Sequence, residues 1–148
     1  MEILVKVSGD VIKKEEFYNW LTCIANPLNR IFILCGGGSS ITNALKEGGI
    51  PYEFGPQGRE IKSLEGKRLA LKILQKQKFF VERKLREKHI IATVLIPVIK
   101  ITNKICHING DSYAIALYPN FDKIYIITLK ERTKFFPENL NKIKVVYL

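Results

Sequence analysis

Residues 30–40 read RIFILCGGGSS, a strand-length apolar run followed at once by three glycines and two serines. An apolar run without polar alternation is typical of a strand that is covered on both faces, as in a parallel sheet. Ser39 and Ser40 favour a helix start, and the helix should extend to about Lys46. The stretch therefore predicts a strand, a glycine turn and a helix in direct succession.

The same order of elements occurs once before it. Met1–Val7 reads as a short strand that ends at the Ser8-Gly9-Asp10 turn. Lys14–Ile24 carries apolar residues at helical spacing, and Asn26-Pro27 predicts the end of that helix. The first fifty residues are thus predicted to form two successive β–turn–α units.

The remaining chain continues the alternation of strands and helices. We predict a loop at Pro51–Gly58, and then a helix that Ser63 caps and that breaks at Gln75–Lys78. A second helix at Phe79–Lys88, a strand at His89–Ile96 and a small hairpin at Val98–Ile108 should follow. The last predicted elements are a short helix before Pro119, capped by Asp111 or Ser112, and the strands Lys123–Leu129 and Lys142–Leu148. This order predicts a three-layer α/β/α sandwich on a mostly parallel sheet, forming one domain over residues 1–148.

Composition restricts the class of protein. The chain has 148 residues, 47% of them hydrophobic and 26% charged, which is the usual mixture of a globular domain. No apolar run approaches the roughly 18–20 residues of a membrane span, so we expect a cytoplasmic protein. The cysteines, Cys23, Cys35 and Cys106, lie apart in apolar stretches and are expected to be buried, reduced thiols without zinc or disulfides.

Positive charge is concentrated in one segment. The chain carries +10 in total, and residues 59–88 hold 11 Lys and Arg against 4 Asp and Glu. Such a face can attract nucleic acid, but solvent-facing lysines alone give the same pattern. Phe79 and Phe80 have helical spacing and are predicted to lie in the core, so we expect no nucleic-acid partner.

Ligands of open parallel sheets bind beyond the carboxyl ends of the strands, where turn amides and helix N-termini point outward. Gly36, Gly37 and Gly38 could bring bare amides close to an anion, with the Ser39 hydroxyl as a further donor. The turn matches neither a P-loop nor a dinucleotide fingerprint, and a crowded turn that needs glycine only for room explains it equally well. Lys6 would lie beside this turn if the first two strands are neighbours, although a lysine at a strand end is often only a solvated residue.

A third turn, Asn109-Gly110-Asp111-Ser112, follows another apolar strand and precedes a short helix. These residues are ordinary turn and N-cap residues. An acidic group near a basic phosphate site can also orient a lysine or hold a metal-bound phosphate. Both interpretations stay open on the residues alone.

Taken together in chain order, these motifs resemble the N-terminal lobe of the amino-acid kinase superfamily, closest in pattern to acetylglutamate kinases. Residues 6–10, KVSGD, resemble the opening K-x-G-G turn, with serine in place of the first glycine as in uridylate kinases. Residues 32–38, FILCGGG, resemble the G-G-G turn of the second strand, and residues 52–59 resemble a substrate loop that ends in arginine. Residues 108–117, INGDSYAIAL, resemble the I-N-x-D-[ST]-x-A-x-x-L signature.

The resemblance implies a role for each matching residue. Lys6 would contact the transferring phosphoryl group, and Asp111 would orient this catalytic lysine. The phosphoryl group would be surrounded by Ser8, Gly9, Gly36, Gly37, Gly38 and Ser39. Arg59 and Asn109 would bind a carboxylate of the acceptor, and ATP and Mg²⁺ would be the co-substrate pair of a catalytic chain.

The sequence also departs from the family. Relatives continue their late strand into T-D-V and a nucleotide-binding lobe, whereas here Ile127-Thr128 is followed by Leu129 and the sequence ends at residue 148. The family's second lysine has only unaligned candidates, namely Lys130, Lys134 and Lys142. We therefore expect either a phosphotransferase that acts from ATP on a small anionic metabolite, completed by a homodimer partner or another subunit, or a non-catalytic module that binds a small anion.

Overall fold

A computed structural model describes all 148 residues of the chain. Its strands are β1 (Glu2–Val7), β2 (Arg30–Cys35), β3 (Glu53–Gly55), β4 (Gly58–Glu60), β5 (Thr93–Leu95), β6 (Val98–Ile101), β7 (Lys104–His107), β8 (Lys123–Thr128) and β9 (Ile143–Tyr147). Its helices are α1 (Glu15–Ile24), α2 (Gly38–Glu47), α3 (Leu64–Glu87) and α4 (Gly110–Ala116), with a 3-10 turn at Tyr118–Asn120.

The central sheet has five strands in the order β5-β2-β1-β8-β9, and every pair in it is parallel. β1 lies between β2 and β8, with Val7 opposite both Cys35 and Ile127. The carboxyl ends of these three strands therefore meet at one edge of the sheet. Two antiparallel hairpins, β3–β4 and β6–β7, lie outside the sheet.

Helices cover both faces of the sheet because alternate strand residues point to opposite sides. On one face Val5 and Ile33 pack with Phe17 of α1 and Val81 of α3. On the other, Leu4, Leu34 and Ile126 pack with Ala114 of α4. The expected α/β fold with a parallel central sheet is confirmed, and helices lie on either side of it.

The predicted break at Gln75–Lys78 is wrong, because α3 runs without interruption for 24 residues. Leu74, Gln77 and Val81 are all buried on one side of the helix, so the buried stripe continues through the polar segment. Only the solvent face is polar there, and glutamine and lysine are good helix formers. The prediction for Phe79 is also wrong, since its side chain is 71% exposed.

Smaller differences concern turns and caps. The predicted loop at Pro51–Gly58 contains β3 and leads into β4. The predicted strand His89–Ile96 is shortened to β5, because His89 adopts a left-handed conformation with φ 55° at the end of α3. Asn109, and neither Asp111 nor Ser112, caps α4, whereas Ser63 caps α3 as predicted.

The three thiols differ in exposure although all are free. Cys35 is buried as expected, Cys23 is exposed and Cys106 is half-buried. The expectation of three buried thiols is therefore wrong for two of them, since the apolar stretches around Cys23 and Cys106 belong to the outer side of α1 and to a hairpin. No helix of the fold combines the length and the apolar character that a membrane crossing requires.

Candidate functional site

A cavity of about 250 Å³ lies at the carboxyl edge of β1 and β2, where the glycine-bearing turns converge. Ten residues were predicted as site residues, and the cavity wall contains eight of them: Lys6, Ser8, Gly9, Gly36, Gly37, Gly38, Arg59 and Asn109. Asp111 lies directly behind Lys6, whereas Ser39 is exposed outside the wall. A larger cavity, of about 500 Å³, lies between Ala25 and Thr93 and contains none of these residues.

Two lysines meet at one carboxylate beside this cavity. Lys6 Nζ lies 2.8 Å from Asp111 Oδ1, and Lys134 Nζ donates to Asp111 Oδ2 at 2.5 Å. Burial lowers the pKa of Lys6, although Asp111 opposes that effect. Burial alone would raise the pKa of Asp111, but Lys6 and Lys134 outweigh it and hold that pKa below its ordinary value. The cluster thus carries two ammonium groups and one carboxylate, a net positive charge.

Lys130, Lys134 and Lys142 are the three unaligned candidates for the second lysine, and they differ in what their side chains contact. Lys142 Nζ lies 3.4 Å from the Tyr118 carbonyl oxygen and 4.9 Å from the centre of its ring, away from Asp111. Lys130 takes part in no ion pair or hydrogen bond of its side chain. Lys134 is therefore the only one of the three that reaches Asp111.

The glycine turns contact each other closely at the mouth of the cavity. A Cβ added at Gly9 would come within 2.6 Å of the backbone of Gly36 and of Gly37, so only glycine allows the turns to approach this far. The amides of Gly9 and Gly37 have no protein acceptor, and that of Gly38 opens α2, where intrahelical acceptors are lacking. These three N–H groups are free to bind an anion.

Two predicted phosphate donors are already used within the protein. The Gly36 amide donates to the Val7 carbonyl at 2.8 Å. The Ser39 amide and hydroxyl both donate to Asp10 Oδ1, at 2.9 and 2.5 Å. Asp10, from the first turn, thus competes with a phosphate for Ser39, whose role as a direct phosphate ligand stays a prediction.

Arg132 was not predicted as a site residue, yet it borders the cavity. It connects the loop after β8 to the first turn through its side chain. Its guanidinium forms an ion pair with Asp10 and donates to Ser8 Oγ at 3.0 Å. Burial would raise the pKa of Asp10, but the hydrogen bonds from Ser39 and Arg132 hold it below its ordinary value. Ser8 thus accepts a hydrogen bond from Arg132, and that guanidinium adds a third positive group to the wall.

The β3–β4 hairpin positions Arg59 on the opposite wall. Its Nη2 donates to the Gly38 carbonyl at 3.0 Å and to Thr42 Oγ1 at 2.8 Å, and its guanidinium lies 5.4 Å from the centre of the Phe54 ring. Burial lowers the pKa of Arg59, and an arginine side chain in a protein remains protonated. The β3–β4 hairpin therefore holds a fixed cation across the cavity from Lys6.

Two further polar residues fix the geometry of the turns. Asn109 Oδ1 accepts from the Ser112 amide at 3.0 Å, so its oxygen caps α4 and only its NH₂ group remains for a ligand. Gln77 is buried on α3 and donates from Nε2 to the Gly37 carbonyl at 3.1 Å. The sequence places Gln77 in a predicted helix break. Its contact with a glycine turn 40 residues away could not be predicted from the neighbouring residues.

His107 lies at the rim of the cavity with its Nε2 2.9 Å from the Lys67 carbonyl oxygen. A carbonyl only accepts, so Nε2 carries the proton. Burial lowers the pKa of His107 below its ordinary value of 6.5, and nearby Lys67 and Arg59 add to this shift, while the bond to the Lys67 carbonyl opposes it. The neutral imidazole is the favoured form in the folded protein.

We therefore expect stability to fall as the pH decreases from 7 to 5.5. The unfolded chain protonates His107 near pH 6.5 and the folded chain only below that, so stability is lost below about pH 6.5, by at most about 1.4 kcal/mol per pH unit. Urea unfolding across this range measures the slope. His107→Gln should flatten it; equal slopes in wild type and His107→Gln would contradict the assignment.

Comparison with known proteins identifies the fold and no function. No protein-family model matches the chain, and no curated protein matches it in sequence. Among solved structures, the crystal structure of smu.665 from Streptococcus mutans UA159 is similar, with a TM-score of 0.68 and 16% sequence identity. The similarity covers 86% of this chain and 72% of that one. At this identity the likeness concerns the fold alone.

Proposed function

We propose that the chain is an amino-acid-kinase-like phosphotransferase that moves a phosphoryl group from ATP to a carboxylate or phosphate of a small anionic metabolite. The observation that supports this most is the meeting of Lys6 and Lys134 at Asp111 beside a glycine-lined cavity. Phosphoryl transfer depends mainly on positioning and on cations that stabilise the charge of the transferred and leaving oxygens. Two ammonium groups on one carboxylate provide such a pair.

In this proposal different groups around the cavity stabilise different oxygens of the reacting phosphates. Lys6 and the free amides of Gly9 and Gly37 stabilise the equatorial oxygens of the phosphoryl group. Lys134 stabilises the leaving oxygen, and Asp111 holds both lysines at the required spacing. Because Asp111 stays ionised between two cations, it serves as a positioning residue and not as a base.

The acceptor would occupy the side of the cavity that Arg59 borders. Arg59 is fixed by Gly38 and Thr42 through one nitrogen, which leaves Nη1 for a carboxylate or phosphate of the acceptor. The Asn109 NH₂ group is the second donor on that side. The acceptor's reacting oxygen would then lie between Arg59 and Lys6.

Mg²⁺ would reach the site with the nucleotide. No three His, Cys, Asp or Glu side chains are grouped so as to hold a metal ion, and Mg²⁺ is commonly held by substrate phosphates with one or two carboxylates. Asp10 and Asp111 are both engaged by cations, so we assign no metal ligand. ATP would lie on the Lys134 side, with a second copy of the chain or another subunit covering the rest of the nucleotide.

A second candidate is a non-catalytic module that binds a small anion. One observation favours it: Leu129, the residue after β8, packs against the core, whereas the resemblance implies an aspartate there. In that case the same cavity would bind phosphate or carboxylate without affinity for Mg-ATP. Calorimetric titration with inorganic phosphate and with Mg-ATP separates the two proposals.

The proposal is tested by transfer of labelled phosphate from ATP with Mg²⁺ to a panel of small carboxylates and phosphomonoesters. We expect acceptor-dependent transfer that Lys134→Met lowers about 10²–10³-fold, since that is the usual cost of one preorganised charge donor. Lys142→Met is the matched control, because the Lys142 ammonium contacts Tyr118 and lies away from Asp111, and it should keep the wild-type rate. Transfer to no member of the panel, or equal rates for both variants, would contradict the proposal.

A further inference from the structure

One exposed ridge of α3 carries a row of cations around a single phenylalanine. The row, here called the α3 ridge, follows spacings of four or three residues and consists of exposed side chains only: Arg68, Lys72, Lys76, Phe79, Arg83 and Arg86. At 1.5 Å per residue it spans about 27 Å. The ridge lies on the side of the helix opposite Leu74 and Val81, which are buried in the core.

The charges of the ridge are mostly unneutralised. Two other cations of α3 have acidic partners, Lys78 with Glu82 and Lys84 with Glu15. Among the cations of the ridge, only Arg83 has a carboxylate within 4 Å, that of Glu87 at 3.7 Å. Four of the five cations of the ridge therefore have no carboxylate within 4 Å.

Phe79 is the only apolar member of the ridge and is 71% exposed. Beside it, a shallow groove of about 290 Å³ is formed by Lys76, Phe79, Phe80, Arg83 and Arg86, and the Arg83 guanidinium lies 5.4 Å from the centre of the Phe80 ring. An aromatic face flanked by guanidinium groups is the arrangement on which an unpaired base stacks. The expectation of no nucleic-acid partner depended on both rings being in the core, and that premise is wrong for Phe79.

Other occupants fit the ridge less well. A second copy of the chain would bring two rows of like charge together, which is unfavourable. A partner helix would need apolar anchors at several helical spacings, and a membrane surface would need an apolar face. The ridge offers one phenylalanine, because the apolar face of α3 is already buried in the domain.

We infer that the α3 ridge binds single-stranded nucleic acid, with its cations along the phosphate backbone and Phe79 stacked on a base. This inference does not depend on the proposed function, since the ridge shares no residue with the cavity around Lys6. The contact is one of charge and stacking, so we expect little dependence on base sequence.

The test is fluorescence anisotropy with a labelled 20-nucleotide oligo(U) over a series of KCl concentrations. Single strands lose about 0.7 in the slope of log K against log salt for each phosphate contact, so four or five contacts predict a slope of about −3. Lys72→Gln with Lys76→Gln should bring the slope closer to zero by about 1.4. Phe79→Ala should weaken binding about 5- to 160-fold, the usual range for one stacked base.

Matched controls decide between a specific ridge and general positive charge. Lys46→Gln with Lys100→Gln removes the same charge from exposed sites elsewhere and should leave the slope within about 0.3 of wild type. The inference is overturned if this control weakens binding as much as the ridge variant, or if Phe79→Ala binds like wild type. It is equally overturned if a poly-glutamate peptide or vesicles containing phosphatidylserine bind at least as tightly as oligo(U). Circular dichroism melting establishes that each variant is folded.

Discussion

Lys6→Met is expected to remove phosphoryl transfer almost entirely, by about 10²–10³-fold or more, and to weaken binding of inorganic phosphate at least tenfold. Lys6 is 7% exposed and lies 2.8 Å from Asp111 at the base of the cavity. Its side chain passes beside Gly36 and Gly110. Methionine keeps the length of the side chain and removes the charge, so the loss reports on electrostatics.

The same variant should remain folded. Burial disfavours the charged form of Lys6, and Asp111 keeps its contact with Lys134 after the substitution, so we expect a small change in Tm. Lys144→Met, in an exposed position of β9, is the control for loss of one positive charge. Phosphate binding at wild-type affinity by a folded Lys6→Met protein would contradict the role of this lysine.

Gly9→Ala is expected to lower stability by about 1–3 kcal/mol, the usual cost of overpacking, and to abolish phosphate binding. The new Cβ would come within 2.6 Å of backbone atoms of Gly36 and Gly37. Backbone cannot rotate away as a side chain can, so the first two turns must separate. Their separation moves the free amides of Gly9 and Gly37 apart and pulls Gly36 away from Val7.

Thermal unfolding and phosphate titration measure both effects of Gly9→Ala. Gly48→Ala is the matched control, because a Cβ there would meet its nearest neighbour at 3.3 Å and φ is −79°. That variant should bind phosphate like the wild-type protein. A Gly9→Ala protein that melts and binds like Gly48→Ala would show that close contact of the turns is not required.

The sheet could be predicted because its strands are marked by local patterns. Arg30–Cys35 and Lys123–Leu129 are apolar runs of strand length, and each connects to a helix through a turn. Parallel order then brings the carboxyl ends of the strands together. The proximity of Lys6 to the Gly36–Gly38 turn follows from this order, and the structure agrees with it.

Contacts made by irregular segments could not be predicted. Arg132 and Lys134 lie in the loop between β8 and β9, which has no periodic pattern and matches no motif, and they reach residues more than twenty positions away. Their partners are Asp10 in the first turn and Asp111 at the start of α4, and the local sequence around either residue gives no sign of such a contact. Long-range ion pairs of this kind are decided by the packing of the loop, which sequence periodicity does not encode.

Polar residues inside a helix caused the opposite error. Gln75–Lys78 has the composition of a surface turn, yet Gln77 is buried and bonds the Gly37 carbonyl, while the others face solvent. The buried polar side chain is tolerated because a backbone acceptor lies within reach. A prediction that considers only whether residues are apolar or polar therefore breaks α3 at Gln75–Lys78. This is the segment in which Gln77 bonds the glycine turn of the site.

The central claim is that the turns at Gly9 and Gly36–Gly38 form, with Lys6, a pocket that binds an anion. Titration of ¹⁵N-labelled protein with inorganic phosphate, followed by amide chemical shifts, tests it most directly. We expect saturable shifts at Gly9, Gly37 and Gly38, with smaller changes at Gly48 and Gly49. Shifts confined to α3, or none at these three glycines at saturating phosphate, would contradict it.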